Sequence, residues 1–215
     1  MDGSSDDRWT CDSSDERRAG GPRDRPTGTS YIDDDWVASP PAGKTIAFTE
    51  CPDDPDSDPL LFEMWLDADG SHGPMRHVHP EQDEFFEVVA GTLGVFHEGE
   101  TSEYGPGESV TIPAGDVHRF WNAGSSELHL RGGVDPGLRT ETFMRVTYGL
   151  ARDGRPVTPS GMPLNLLLLA VLLTEFDDML YLAAAPTWLQ RLGVGLVAPL
   201  GRLAGYDNGY PEYRP

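Results

Sequence analysis

The chain has 215 residues, 36 acidic against 16 basic, for a net charge of −20. That balance argues against nucleic acid and anionic membrane surfaces as partners, since both call for basic patches. A hydrophobic content of 38% with 25 glycines and 19 prolines excludes a helical bundle and suits short strands joined by turns, with part of the chain left unpacked.

Residues 1–43 mix Asp, Ser, Arg, Gly and Pro without apolar periodicity and are predicted to form a disordered acidic arm, in which only 31–37 (YIDDDWV) touches the core. No apolar run marks a signal peptide at the N-terminus. The two cysteines, Cys11 and Cys51, match no zinc or redox spacing, which points to a reducing, cytoplasmic setting. From 44 to 150 the chain reads as strands and turns. TIAFTE and LLFEMWL come first, then EFFEVVAG, TLGVFHEGE, ESVTIPAG, HRFWNAG, ELHLRGG and ETFMRVTYG follow at intervals near ten residues. Short strands at that spacing predict an antiparallel sandwich or barrel. From Pro163 the period changes. LNLLLLAVLLTEFDDMLYLAAA predicts one long helix, stopped by Pro186. A second helix follows, with Trp188, Leu189, Leu192, Leu196 and Leu203 at helical spacing and a bend or break at Pro199. This segment, 160–209, includes Glu175, Asp177 and Asp178 close to its apolar run, which argues against a membrane span.

Two segments carry chemistry. HVHPEQDEFFEVVAG puts His77 and His79 two apart, so that on a strand both imidazoles face one side, with Glu84 opening the next strand. GESVTIPAGDVHRFWN aims His118 from a tight turn at Pro113–Gly115. Three imidazoles and a carboxylate form a first-row transition-metal set that serves Fe, Mn, Ni, Cu or Zn alike. A lone strand histidine is usually structural, and His72, His97 and His129 are read that way. By strand parity Met75, Phe86, Val88, Phe120 and Asn122 line a pocket around the metal, although small barrels need such core residues in any case. The same parity turns Phe85, Val89 and Trp121 outward, where the C-terminal hairpin or a second subunit is expected to cover them.

These two segments resemble the paired motifs of the cupin superfamily. The pattern is H-x-H, E and G in the first, and G, P-x-G, H and N in the second, with Gly70 one residue out of the usual place before His77. The resemblance implies a mainly β protein, a jelly-roll β-barrel, with a metal bound by His77, His79, Glu84 and His118. It also implies dioxygenase-like chemistry, with Glu84 as ligand and proton acceptor, and the apolar neighbours given by parity suit a small apolar or aromatic molecule. The alternative is a non-catalytic module that binds or senses a small ligand. A homodimer is expected. Lys44 is the sole lysine against fifteen arginines. Such an acidic, lysine-poor composition resembles that of proteins from salt-loving archaea.

Overall fold

The computed structural model describes residues 22–26, 32–33, 36–50, 52–68, 73–177, 179–206, 210 and 213. Most of the expected arm falls outside them, as do Cys11, Cys51, Gly70, His72 and Asp178. The described stretch 22–26 lies against the barrel. Arg25 pairs with Asp67 at 2.5 Å and Glu127 at 2.6 Å, and the Arg23 amide donates to Glu63.

The strands are β1 (Ile32–Asp33), β2 (Trp36–Ser39), β3 (Lys44–Glu50), β4 (Leu60–Leu66), β5 (His77–Val78), β6 (Asp83–Ala90), β7 (Leu93–His97), β8 (Glu100–Tyr104), β9 (Ser109–Ile112), β10 (His118–Asn122), β11 (Leu128–Asp135) and β12 (Tyr181–Leu182). The helices are α1 (Thr140–Arg152), α2 (Leu166–Glu175) and α3 (Thr187–Leu203). The strands form two antiparallel sheets, ordered β1-β2-β3-β4-β11-β6-β9 and β12-β5-β10-β7-β8. Their inner faces enclose one core, in which Ile46, Phe62, Met64, Phe86, Val95, Phe120 and Leu130 are buried. Alternation along each strand does this: Ile46 and Phe48 face in, while Thr45 and Ala47 face out. The fold is the mainly β, jelly-roll barrel that the strand spacing and the motifs predicted, with a C-terminal helical pair.

Several elements differ from the sequence expectation. The end of the expected arm is built into the sheet: β2 pairs with β3 and buries Val37 and Ala38. Strand β8, polar and exposed and so without an apolar signal, pairs with β7. ETFMRVTYG, expected as a strand, lies within α1. Its Val and Thr residues suit a strand, but Glu141 and Arg145 pair at 2.8 Å one helical turn apart. Met144 and Tyr148 of α1 pack on the barrel core, while Val146 and Leu150 pack on Leu168 and Leu172 of α2. The long helix expected from 164 is only ten residues. Asn165 caps it by accepting from the Leu167 and Leu168 amides. After Glu175 the chain buries Phe176 and Met179, then pairs as β12 with β5. Finally, α3 runs unbroken through Pro199. The carbonyl of Gly195, deprived of its donor, lies on an exposed part of the helix where water can serve it.

The packing of the hairpin is also different. It rests on α1 rather than on Phe85, Val89 and Trp121. Phe85 is buried opposite Gly133 of β11. Trp121 lies over Gly94, where an added Cβ would come within 2.4 Å of the ring, and the Arg119 guanidinium lies 4.7 Å from the ring centroid. Val89 and Trp121 remain half-buried, and the hairpin covers neither. In α3 the expected stripe of Trp188, Leu192, Leu196 and Leu203 is exposed. The contact with α2 uses small residues instead, Ala198 and Gly201, which let the two backbones approach closely.

Candidate metal centre

His77 on β5 and His118 on β10 are directly opposite in the antiparallel pair. His79 follows β5 after one residue of pleat, and Glu84 lies on β6 in the other sheet. The four side chains are buried, and one ligand atom from each lies within 4.8 Å of all the others. Donors about 2.1 Å from a common ion can be no more than about 4.2 Å apart, so the set is within a few tenths of an ångström of a coordination sphere.

The protonation of the rings follows from their other contacts. His77 Nδ1 is 2.8 Å from Met75 O, His79 Nδ1 is 2.7 Å from Met179 O, and His118 Nδ1 is 2.9 Å from Asp116 O. A carbonyl oxygen only accepts, so each Nδ1 carries the proton and each Nε2 is left to present a lone pair. His118 Nε2 is 2.9 Å from Glu84 Oε2, yet neither atom has a hydrogen-bond partner of acceptable geometry. Two facing acceptors at that distance need a cation or a proton between them. These orphaned, converging atoms fit a divalent transition metal.

The electrostatics agree. Burial pushes the His77 imidazole down to about 3, helped by His79 and His118, so it stays neutral. Burial lowers His79 as well. Burial alone would raise the Glu84 carboxyl, but the three imidazoles outweigh it and hold the group below the usual range. Burial opposes the charge on His118, and the Glu84 carboxylate overcomes that and raises it. A metal ion at this point would take the place of that proton.

Above the four side chains lies a cavity of about 100 Å³. Of the five pocket residues expected from parity, Met75 and Phe120 line it. Phe86 and Val88 are in the packed core instead. Asn122 is engaged in a turn, donating to Leu66 O and Ser126 O and accepting from the Gly124 amide. Besides Met64 and Pro74, the walls come from segments that the sequence reading did not connect with the site: Thr140, Phe143, Met144, Thr147 and Tyr148 of α1, the 160–162 loop, and Met179, Leu180 and Leu182. Lys44 also lines the cavity. Gln82 braces this lid, its amide nitrogen 2.8 Å from Pro136 O and 3.0 Å from Thr140 Oγ1. The signal for α1 was present as the Glu141–Arg145 pair. Nothing local marked Lys44 or Met179, which reach the site only through tertiary packing.

The other histidines lie elsewhere. His129 is 2.7 Å from Glu63 and stacks on Trp65, on the outer side of the sheet. His97 is 2.8 Å from Asp116.

Residues 63–131 match the family described as Cupin domain. That stretch, about a third of the chain, is similar to a cupin domain and holds all four candidate ligands. Among curated proteins it is 27% identical over 162 residues to "Probable oxidoreductase virH" of Hypocrea virens, covering 69% of this chain and 71% of that one. It is 41% identical over 70 residues to "Oxidoreductase iacF" of Pestalotiopsis fici, spanning 31% of this chain and only 34% of that relative. Among solved structures, KdgF from Halomonas sp. is 22% identical with a TM-score of 0.41, over 49% of this chain and 93% of that one. An RmlC-like cupin from Shewanella frigidimarina is 19% identical with a TM-score of 0.38, over 44% and 78%.

Proposed function

We propose that the chain is a metal-dependent oxidoreductase of the oxygenase type, acting on a small apolar or aromatic molecule held in the barrel cavity. The observation that carries this reading is the convergence of three imidazole lone pairs and one carboxylate on a single point beside a cavity with mainly apolar walls. His77, His79, Glu84 and His118 would hold one Fe, Mn, Ni, Cu or Zn ion. Such an ion would supply Lewis-acid chemistry and, where it is redox-active, one-electron chemistry. The Nδ1–H bonds to Met75, Met179 and Asp116 keep the rings from rotating. Glu84 would ligate the ion through the Oε2 that faces His118, and when it leaves the ion its carboxylate is the group to accept a proton from substrate. Met64, Phe120, Phe143 and Met144 offer an apolar seat and exclude water. The oxidoreductase names of the two curated relatives support the reaction class.

Oxygen uptake tests it. Protein loaded with each of the five metals in turn is offered flavonol and catechol-like compounds. Uptake that depends on substrate and is lost in His77→Ala supports the reading; ligand binding without uptake for every metal favours a binding or sensing module. The assembly proposed with it is a cytoplasmic homodimer joined through the exposed apolar stripe of α3. The segment 151–215 is close to neutral, so two copies can meet there without bringing the acidic barrels together. Sedimentation should find a dimer, and Leu192→Glu with Leu196→Glu should give a monomer.

A further inference from the structure

The cavity contains one positive charge that the chemistry above does not use. Lys44 opens β3 on its inward face, in line with Ile46 and Phe48 and in register with Leu66 of β4. It is 4% exposed. Its ammonium group has three N–H donors, and its hydrogen bond is to Ser160 O, at 3.2 Å. Among the described residues it pairs with no carboxylate. Burial lowers its pKa to about 8, and Glu84, although it lines the same cavity, forms no ion pair with it. An ammonium in such a place is costly unless something neutralises it. If Lys44 served only to hold the Ser160 carbonyl, a neutral donor would do so without burying a charge. Of the hydroxyls that line the cavity, those of Thr140, Thr147 and Ser160 are engaged, the last with Thr158. Thr147 Oγ1 donates to Phe143 O, and Thr140 Oγ1 accepts from Gln82.

We propose that Lys44 is the anion-binding group of the cavity, and that the natural ligand is a small organic acid. Its carboxylate or enolate oxygen sits on Lys44 Nζ and its apolar body lies against Met64, Phe120, Phe143 and Met144. The apolar walls strengthen such a pair by excluding water. The proposal rests on the reading of this cavity as the substrate site, and it narrows that substrate to an acid.

Calorimetric titration with benzoate and with the neutral benzamide tests it, on the full chain with and without metal. The wild-type protein should bind benzoate about tenfold or more tightly than benzamide. Lys44→Met should remove that preference and leave metal content unchanged. If Lys44→Met does not fold, Lys44→Gln, which keeps a donor for Ser160, takes its place with the same expectation. Equal or absent binding of the two probes to the wild type overturns the proposal. So does a benzoate preference that survives in the variant, which would assign the anion to the metal. Benzoate binding that depends on Lys44 in a chain that takes up no metal would uphold the anion site while the oxidoreductase reading fails. Full metal occupancy without benzoate preference would do the reverse.

Discussion

At the scale of single residues, the ligand set was legible because its spacing is dictated by strand geometry. His77 and His79 share a face through the pleat, and the turn before His118 is marked by Pro113 and Gly115. Lys44 was not legible, because a lysine at the start of a strand usually lies at a surface. Only the 158–162 loop and α1, which close over it, make it a buried charge. That burial has a consequence for stability. Lys44 holds its proton with a pKa of about 8 in the fold against its ordinary 10.5 when unfolded. Below pH 8 both states are protonated and the fold bears the full cost. Between 8 and 10.5 the unfolded chain binds the proton and the folded chain does not, so stability rises with pH. Lys44→Met should therefore be more stable than the wild type at pH 7, by on the order of 3 kcal/mol, with the difference vanishing towards pH 10.5. Urea unfolding across that range measures it, and a constant difference would mean that Lys44 is not buried as a charge.

At the scale of elements, the strands from β3 to β11 could be read from alternation and turn residues, except the polar, exposed β8, whereas the segments that complete the site could not. In α1, residues 141–149 alternate enough to pass for a strand, and the i,i+4 ion pair is the one local sign of a helix. The apolar run after 164 promised a longer helix than α2, because periodicity does not show that Phe176 and Met179 turn into the core. That turn matters to the site, since it brings Met179 O to His79 and β12 beside His77. In α3 the bulky stripe drew attention, yet the small residues make the contact. An added Cβ at Gly201 would come within 2.7 Å of Leu167 O and of Val171. Gly201→Val should force α3 from α2 and lower the unfolding free energy by about 1–3 kcal/mol. Metal content should not change, because all four ligands lie on the barrel strands and their turns. Denaturant titration and metal analysis of the one variant check both halves of this expectation.

At the scale of the whole molecule, composition told most about the surface. The acidic charge is shared by the segments before 59 and from 59 to 150, at −9 and −10, while 151–215 carries only −1. Within it, α2, Phe176 and Met179 are built around apolar contacts with α1, while the apolar stripe of α3 is exposed. No helix among the described residues is long and apolar enough to cross a membrane. That the bulky face of α3 is exposed was not legible, because helical spacing marks an apolar stripe without telling whether it is packed. The excess of like charge should make the barrel repel itself in dilute buffer and be relieved by screening. The melting temperature is expected to climb from dilute buffer to molar KCl. A flat or falling curve would tell against the salt-adapted reading of the composition.

The central claim is that His77, His79, Glu84 and His118 form a metal site. Elemental analysis of protein purified without a metal-affinity tag, and of variants prepared alongside it, tests this most directly. The account predicts one divalent ion per chain in the wild type and in His129→Ala, whose ring belongs to the Glu63 contact outside the barrel. It predicts loss of that ion in His77→Ala, in His118→Ala and in the His77→Ala/His79→Ala double variant. Full occupancy in the double variant, or a wild-type chain that retains none of the five metals offered to it, would contradict it.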